Sequence, residues 1–186
     1  LAVKIQSFEY IIKELLSWYK SMGKDDLQND FSILKSIKLL FFVSAAKAKR
    51  PYHSILIDDT FEFVAMPYGH VESDIYDYIR QNNGKLNFYT LDNRRAILVD
   101  STGINELNEN IDPSLKEEID LSIQYLKKQN PKLVLLSPFD LVDLSHAWYS
   151  WQHFFKDKDP GSRNSYAISP ETIKKEDKIF SLQTFR

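Results

Sequence analysis

The chain has 186 residues, 24 Lys+Arg against 26 Asp+Glu, a formal net charge of −2 and no cysteine. One domain is expected at that length, with a core that buries roughly 70% of the unfolded surface; the 43% hydrophobic and 27% charged fractions exclude a disordered chain. The missing cysteines exclude a disulfide framework, a thiolate nucleophile and cysteine-ligated zinc, and the balanced charge removes any global drive toward nucleic acid or anionic membrane.

No run approaches the roughly 18 apolar residues that a bilayer crossing needs. Residues 1–7 interleave polar with apolar positions and show no signal-peptide core. Leu1 stands where an initiator Met would, so any leader ahead of it is not visible, and a cytoplasmic protein is the default expectation.

Ile5, Phe8, Ile11, Ile12, Leu15, Leu16 and Tyr19 recur at helical spacing, with Met22-Gly23 as the stop. After a polar connector, Ile33, Leu34, Ile37, Leu39, Leu40, Phe41 and Val43 predict a second helix, apolar over most of its circumference and therefore central. It closes on Lys47, Lys49, Arg50 and then Pro51. The period changes next: Ile55, Leu56 and Ile57, then Phe61, Phe63 and Ala65, read as two strands around an Asp58-Asp59-Thr60 turn. Met66-Pro67-Tyr68-Gly69 breaks the chain. Val71, Ile75, Tyr78 and Ile79 predict a short helix, and 86–91 with 96–99 a second hairpin around Asp92-Asn93. Three helices follow, started by Asp112-Pro113, by Ser137-Pro138 with Asp140 as a capping box, and by Ser169-Pro170. The second should run to about Phe155, and 156–164 reads as a mobile loop. The expected fold is α+β: one mainly helical domain over 1–186, with a small antiparallel sheet inserted after the second helix.

Catalytic signals are weak. Asp143, His146 and His153 share a helical face and could serve a metal- or histidine-dependent enzyme. Seven residues nevertheless separate the imidazoles by about 10 Å along a helix, too far for one ion, so Asp143 orienting His146 by a hydrogen bond is the favoured reading. Asp58-Asp59 turns a chain more readily than it holds Mg²⁺. With five glycines there is no phosphate loop and no nucleophile elbow. No catalytic residue, cofactor or metal is assigned.

Between residues 20 and 50 seven basic residues face three acidic ones, and the Lys47, Lys49, Arg50 end could belong to a DNA-binding regulator. No stacking motif accompanies it, and nucleic acid is not the expected partner. Aromatic residues make up 13% of the chain, and Trp148, Tyr149, Trp151, Phe154 and Phe155 fall within one predicted helix. Such a helix is either buried on all sides or presents one side to a partner. Trp148, Tyr149 and Phe155, with the 156–164 loop, are the candidate partner-binding positions, and an aromatic surface would serve a homodimer equally well.

Three segments in order resemble the Panacea (SocA-like) antitoxin domain, often called phage-associated protein. They are Ile33-Leu34-Lys35-Ser36-Ile37-Lys38-Leu39-Leu40-Phe41-Phe42; Phe61-Glu62-Phe63-Val64-Ala65-Met66-Pro67-Tyr68-Gly69-His70-Val71; and Leu141-Val142-Asp143-Leu144-Ser145-His146 with Trp148 and Trp151, followed by Ile168-Ser169-Pro170-Glu171. The motif-bearing part is 27–180. The chain departs from the family pattern at Met66, where tryptophan is usual, at His70, where proline is usual, and at Ser145, where threonine is usual. The resemblance implies a cytoplasmic, non-enzymatic antitoxin from a mobile element or toxin–antitoxin locus. It would neutralise a toxin encoded nearby by direct binding or by delivering it to a protease. It singles out Lys38, Tyr68, Gly69, His146 and Trp151 as motif positions. Among them, Gly69 is expected to allow a close backbone approach, the Lys38 ammonium to reach solvent or a carboxylate, and His146 to tie its helix to the Tyr68-Gly69 loop.

Overall fold

Two helices, α1 (Ala2–Ser21) and α2 (Ile33–Ala45), occupy the centre of a computed structural model that describes residues 1–156 and 164–182. The Ser32 hydroxyl starts α2 by accepting the Lys35 N–H at 3.2 Å. From Lys35 to Ala45 every side of α2 is buried, the placement its all-round apolar sequence demands.

Strands β1 (Phe63–Met66) and β2 (Gly69–Glu72) form an antiparallel hairpin in register Phe63–Glu72 through Met66–Gly69, and β5 (Tyr166–Ala167) adds to the other edge of β1. Glu72 ends β2 and is fully buried. Its carboxylate caps α3 (Ser73–Gln81) through the Ile75 N–H at 2.8 Å, accepts the Glu62 N–H at 3.1 Å, and pairs with Lys4 of α1 at 2.6 Å. A second hairpin, β3 (Tyr89–Leu91) with β4 (Ala96–Leu98), hangs on a second buried carboxylate. Glu9 of α1 accepts the Phe88 N–H at 2.6 Å and the Tyr89 N–H at 3.1 Å. Helices α4 (Ser101–Asn110), α5 (Pro113–Gln129), α6 (Pro138–His146), the single turn α7 (Tyr149–Trp151) and α8 (Pro170–Lys175) complete a mainly helical α+β fold. No helix among the described residues is long and apolar enough to cross a membrane.

Four expectations require correction. The segment Ile55–Thr60 is a π-helical turn and not half of a hairpin: Glu118 of α5 accepts the Ile55 N–H at 2.8 Å and the Leu56 N–H at 3.2 Å, so these donors have no use for a strand partner. The hairpin lies one step later, and Met66-Pro67-Tyr68-Gly69, expected only to interrupt the chain, is its turn. Helix α4 was not anticipated, because only Ile104 and Leu107 mark its buried face. Finally, α6 stops at His146. Trp148 takes an extended conformation (φ −78°, ψ 138°), after which α7 leads into a π-helical turn at Gln152–Lys156. The break sends Trp148 and Trp151 to different neighbours, the indole of Trp148 to Ile179 O and that of Trp151 to Met66 O. The interior of the expected 156–164 loop, residues 157–163, lies outside the described residues.

Candidate functional site

The β1–β2 turn is the point to which three distant elements reach. Pro67 presets the backbone angle of the first turn position, and Gly69 rejoins the strand at φ +97°. A Cβ on Gly69 would stand 2.3 Å from Ser145 Oγ, 2.8 Å from Ser145 Cβ and 3.3 Å from Lys38 Cε. Helices α2 and α6 therefore both press on this residue, and only glycine satisfies both the angle and the space.

Four backbone groups of the turn region are held by side chains. Trp151 Nε1 donates to Met66 O at 2.8 Å, His146 Nε2 donates to Pro67 O at 3.0 Å, and Lys38 Nζ donates to His70 O at 2.6 Å. The His70 N–H donates to Ser145 Oγ at 3.0 Å. The His146 ring lies flat on Trp151, with centroids 3.7 Å apart, so the two donors also brace each other. At the apex Tyr68 keeps 60% of its surface in solvent. The motif positions Lys38, Tyr68, Gly69, His146 and Trp151 thus converge on one turn.

The model of the family described as "Antitoxin SocA-like, Panacea domain" matches residues 37–152, more than half of the chain and the whole of this constellation. The chain belongs to this family. Comparison with curated proteins and with solved structures returns no match.

Beneath the turn, this Panacea domain carries a polar chain that sequence reasoning missed. His70 is fully buried and stacked on Phe41 at 3.7 Å. Its Nδ1 is 2.7 Å from Ser145 Oγ and its Nε2 is 2.7 Å from Ser150 Oγ. Ser150 Oγ donates to Glu176 Oε1 at 2.7 Å and so accepts from Nε2–H, which leaves Nδ1 as the acceptor of the Ser145 hydroxyl proton. Burial holds the imidazole well below its ordinary pKa, and the nearby Lys38 and His146 add to the shift, so it is neutral. Burial likewise pushes the Glu176 carboxyl up to about 7, against the Ser150 hydrogen bonds. Nothing local marks these four residues, which come from three separate parts of the chain; only the departures from the family pattern at His70 and Ser145 hinted at them.

Lys38 departs from expectation. Its amine reaches neither solvent nor a carboxylate; it is fully buried with the His70 carbonyl as its partner, and desolvation lowers its pKa to about 7.

Other candidates are dispersed. Trp148 is fully buried, its Nε1 donating to Ile179 O at 2.9 Å, and so cannot face a partner. Tyr149 is exposed, while Phe155 is half-buried and stacked on Trp151 at 5.5 Å. Asp143 and His146 do not form the expected hydrogen bond, since His146 points at Pro67; Asp143 acts on it only through its charge. His153 stacks on Tyr149 in the turn beyond the helix break. Among the described residues no three His, Asp or Glu side chains cluster as metal ligands. At the end of α2, Arg50 pairs with Glu171 at 2.5 Å, and Lys47 and Lys49 share a cleft with Glu117 and Glu118.

His146→Ala removes one hydrogen bond and one ring stack from the turn. The expected cost is about 1–2 kcal/mol, or about 3–6 °C in Tm for a domain of this size. Unchanged thermal unfolding would show that His146 does not hold the turn.

Proposed function

We propose that this Panacea domain is a non-enzymatic antitoxin that neutralises a toxin encoded nearby, and that it makes contact through the face around Tyr68. Family membership supports a protein partner of toxin type. The observation that carries the reading to this face is an exposed tyrosine on a turn whose backbone is tied by Trp151, His146 and Lys38. Tyrosine is over-represented among residues that dominate binding energy. A turn already fixed in the free protein loses little conformational entropy when a partner docks.

Chemistry at the buried Ser145–His70–Ser150–Glu176 chain is the second reading. It fares worse, because both hydroxyls are fully buried and Ser145 Oγ is occupied by the His70 N–H. A nucleophile without access to substrate has nothing to attack.

The test is growth with the neighbouring open reading frame induced, with and without this chain. Arrest by the neighbour and rescue by the chain are expected, with stable co-purification if neutralisation is by sequestration and accelerated loss of the toxin if it is by protease delivery. Tyr68→Ala is expected to weaken partner binding tenfold or more, at roughly 2 kcal/mol for a central tyrosine, while leaving Tm unchanged. A harmless neighbour, or failed rescue by the wild-type chain, would end the antitoxin reading. Full rescue by Tyr68→Ala would move the interface elsewhere.

A further inference from the structure

Beside Tyr68 lies a cleft of about 420 Å³ between α2, the β1–β2 turn and α3. Its walls are mainly apolar: Leu34 and Ile37 from α2, Met66 from the turn, and Val71 and Tyr76 opposite. The size falls within the ~300–1,000 Å³ typical of preformed ligand sites, which combine apolar walls with a few polar groups. Arg80 is its exposed basic residue, Lys38 borders it with the amine buried against His70 O, and no acidic residue lines it. Other clefts of similar size mix both signs, as where Lys13 and Lys116 stand beside Glu14 and Asp120. Arg80 is exposed, its guanidinium 5.7 Å from the Tyr76 ring, and no carboxylate of the described residues pairs with it.

We propose that this cleft receives an acidic, hydrophobic segment of the partner protein, with one apolar side chain entering between α2 and α3 and a neighbouring carboxylate meeting Arg80. The inference rests on the partner-binding reading of the Tyr68 turn and adds the chemistry of what binds there. The apolar walls favour burial of an aromatic or branched side chain. The unpaired guanidinium selects for a carboxylate, to which its fork of donors is matched. Tyr68, at the lip, adds contact area to both.

The test uses the full chain and two capped peptides, acetyl-Glu-Phe-Leu-Asp-amide and its neutral counterpart acetyl-Gln-Phe-Leu-Asn-amide, followed by amide chemical-shift titration. Shifts are expected at Leu34, Tyr68, Tyr76 and Arg80. The acidic peptide should bind about two- to fivefold more tightly, the range of a solvent-facing ion pair. Arg80→Gln should abolish that preference, and Leu34→Trp, which fills the cleft, should abolish both titrations while the amide spectrum stays folded. Shifts confined to other surfaces, equal binding of the two peptides, or binding undiminished by Leu34→Trp would overturn the proposal. The growth assay separates the two levels of the argument. Rescue by wild type and equal rescue by Leu34→Trp would refute the cleft and leave the antitoxin reading standing. Failure of wild type to rescue would refute that reading, with the peptide titration still deciding what the cleft selects.

Discussion

Gly69→Ala is expected to cost about 3 kcal/mol or more. Two penalties add. The residue sits at φ +97°, a region that an L side chain rarely adopts, and the new methyl would overlap the side chain of Ser145 on α6. The serine cannot retreat freely, because its hydroxyl accepts the His70 N–H and faces Nδ1 of the same imidazole. On the other side Lys38 Cε stands at 3.3 Å, on a helix buried all round. At about 2–4 °C per kcal/mol, Tm should fall by about 6–12 °C. If the loss were confined to backbone strain, Ser145→Ala in the Gly69→Ala background would recover nothing; partial recovery is expected, because it removes the atom closest to the new methyl. A Gly69→Ala protein that melts like wild type would mean that α6 and the turn are not in contact.

That contact sits between features the sequence displays openly and features it does not. Helix starts were legible because caps are local. Asp112, Ser137 and Ser169 each accept an N–H three residues beyond the cap. The central place of α2 was legible because no polar face was left for solvent. The first hairpin was misplaced because Ile55-Leu56-Ile57 suits a strand or a buried turn equally, and the deciding partner, Glu118, lies more than sixty residues away. The helix break before Trp148 was hidden for a related reason: a run of aromatics says that several sides are buried, not that the backbone must unwind to bury them. In the site, the motif positions could be gathered by resemblance, but what holds them could not. Ser150 and Glu176 reach His70 across sequence separations with no period, and a buried histidine gives no hydropathy signal to distinguish it from an exposed one.

Lys38→Met is expected to stabilise the protein near neutral pH, by about 1–3 kcal/mol, even though it deletes a buried hydrogen bond. The ammonium form of Lys38 is desolvated with a single carbonyl, His70 O, as partner, which is why its pKa falls to about 7 from an ordinary 10.5. The sign follows from proton counts. Between pH 7 and 10.5 the unfolded chain holds a proton on this amine that the folded chain has released. Stability from this residue therefore rises with pH through that window and is lost again as pH falls toward 7. Below about 7 the folded protein carries the buried charge in full. Methionine fills similar volume without the charge, leaving the His70 carbonyl short of a donor at about 1 kcal/mol. Glu176, whose carboxyl is pushed up to about 7, acts in a lower window: its neutral form stabilises the fold at acid pH, and the contribution is lost as pH rises toward 7. Lys178, lowered to about 8 by burial, adds to the rise above neutrality in both proteins. The difference between wild type and Lys38→Met therefore cancels both and reports Lys38 together with the effect of its charge on His70 and His146. Denaturant unfolding at pH 6.5 and pH 9.5 should show the variant ahead at the lower pH and its advantage shrinking at the higher. A variant less stable than wild type at pH 6.5 would mean that the bond to His70 O outweighs desolvation, and that Lys38 is a structural clamp for the turn rather than a buried cost the turn sustains.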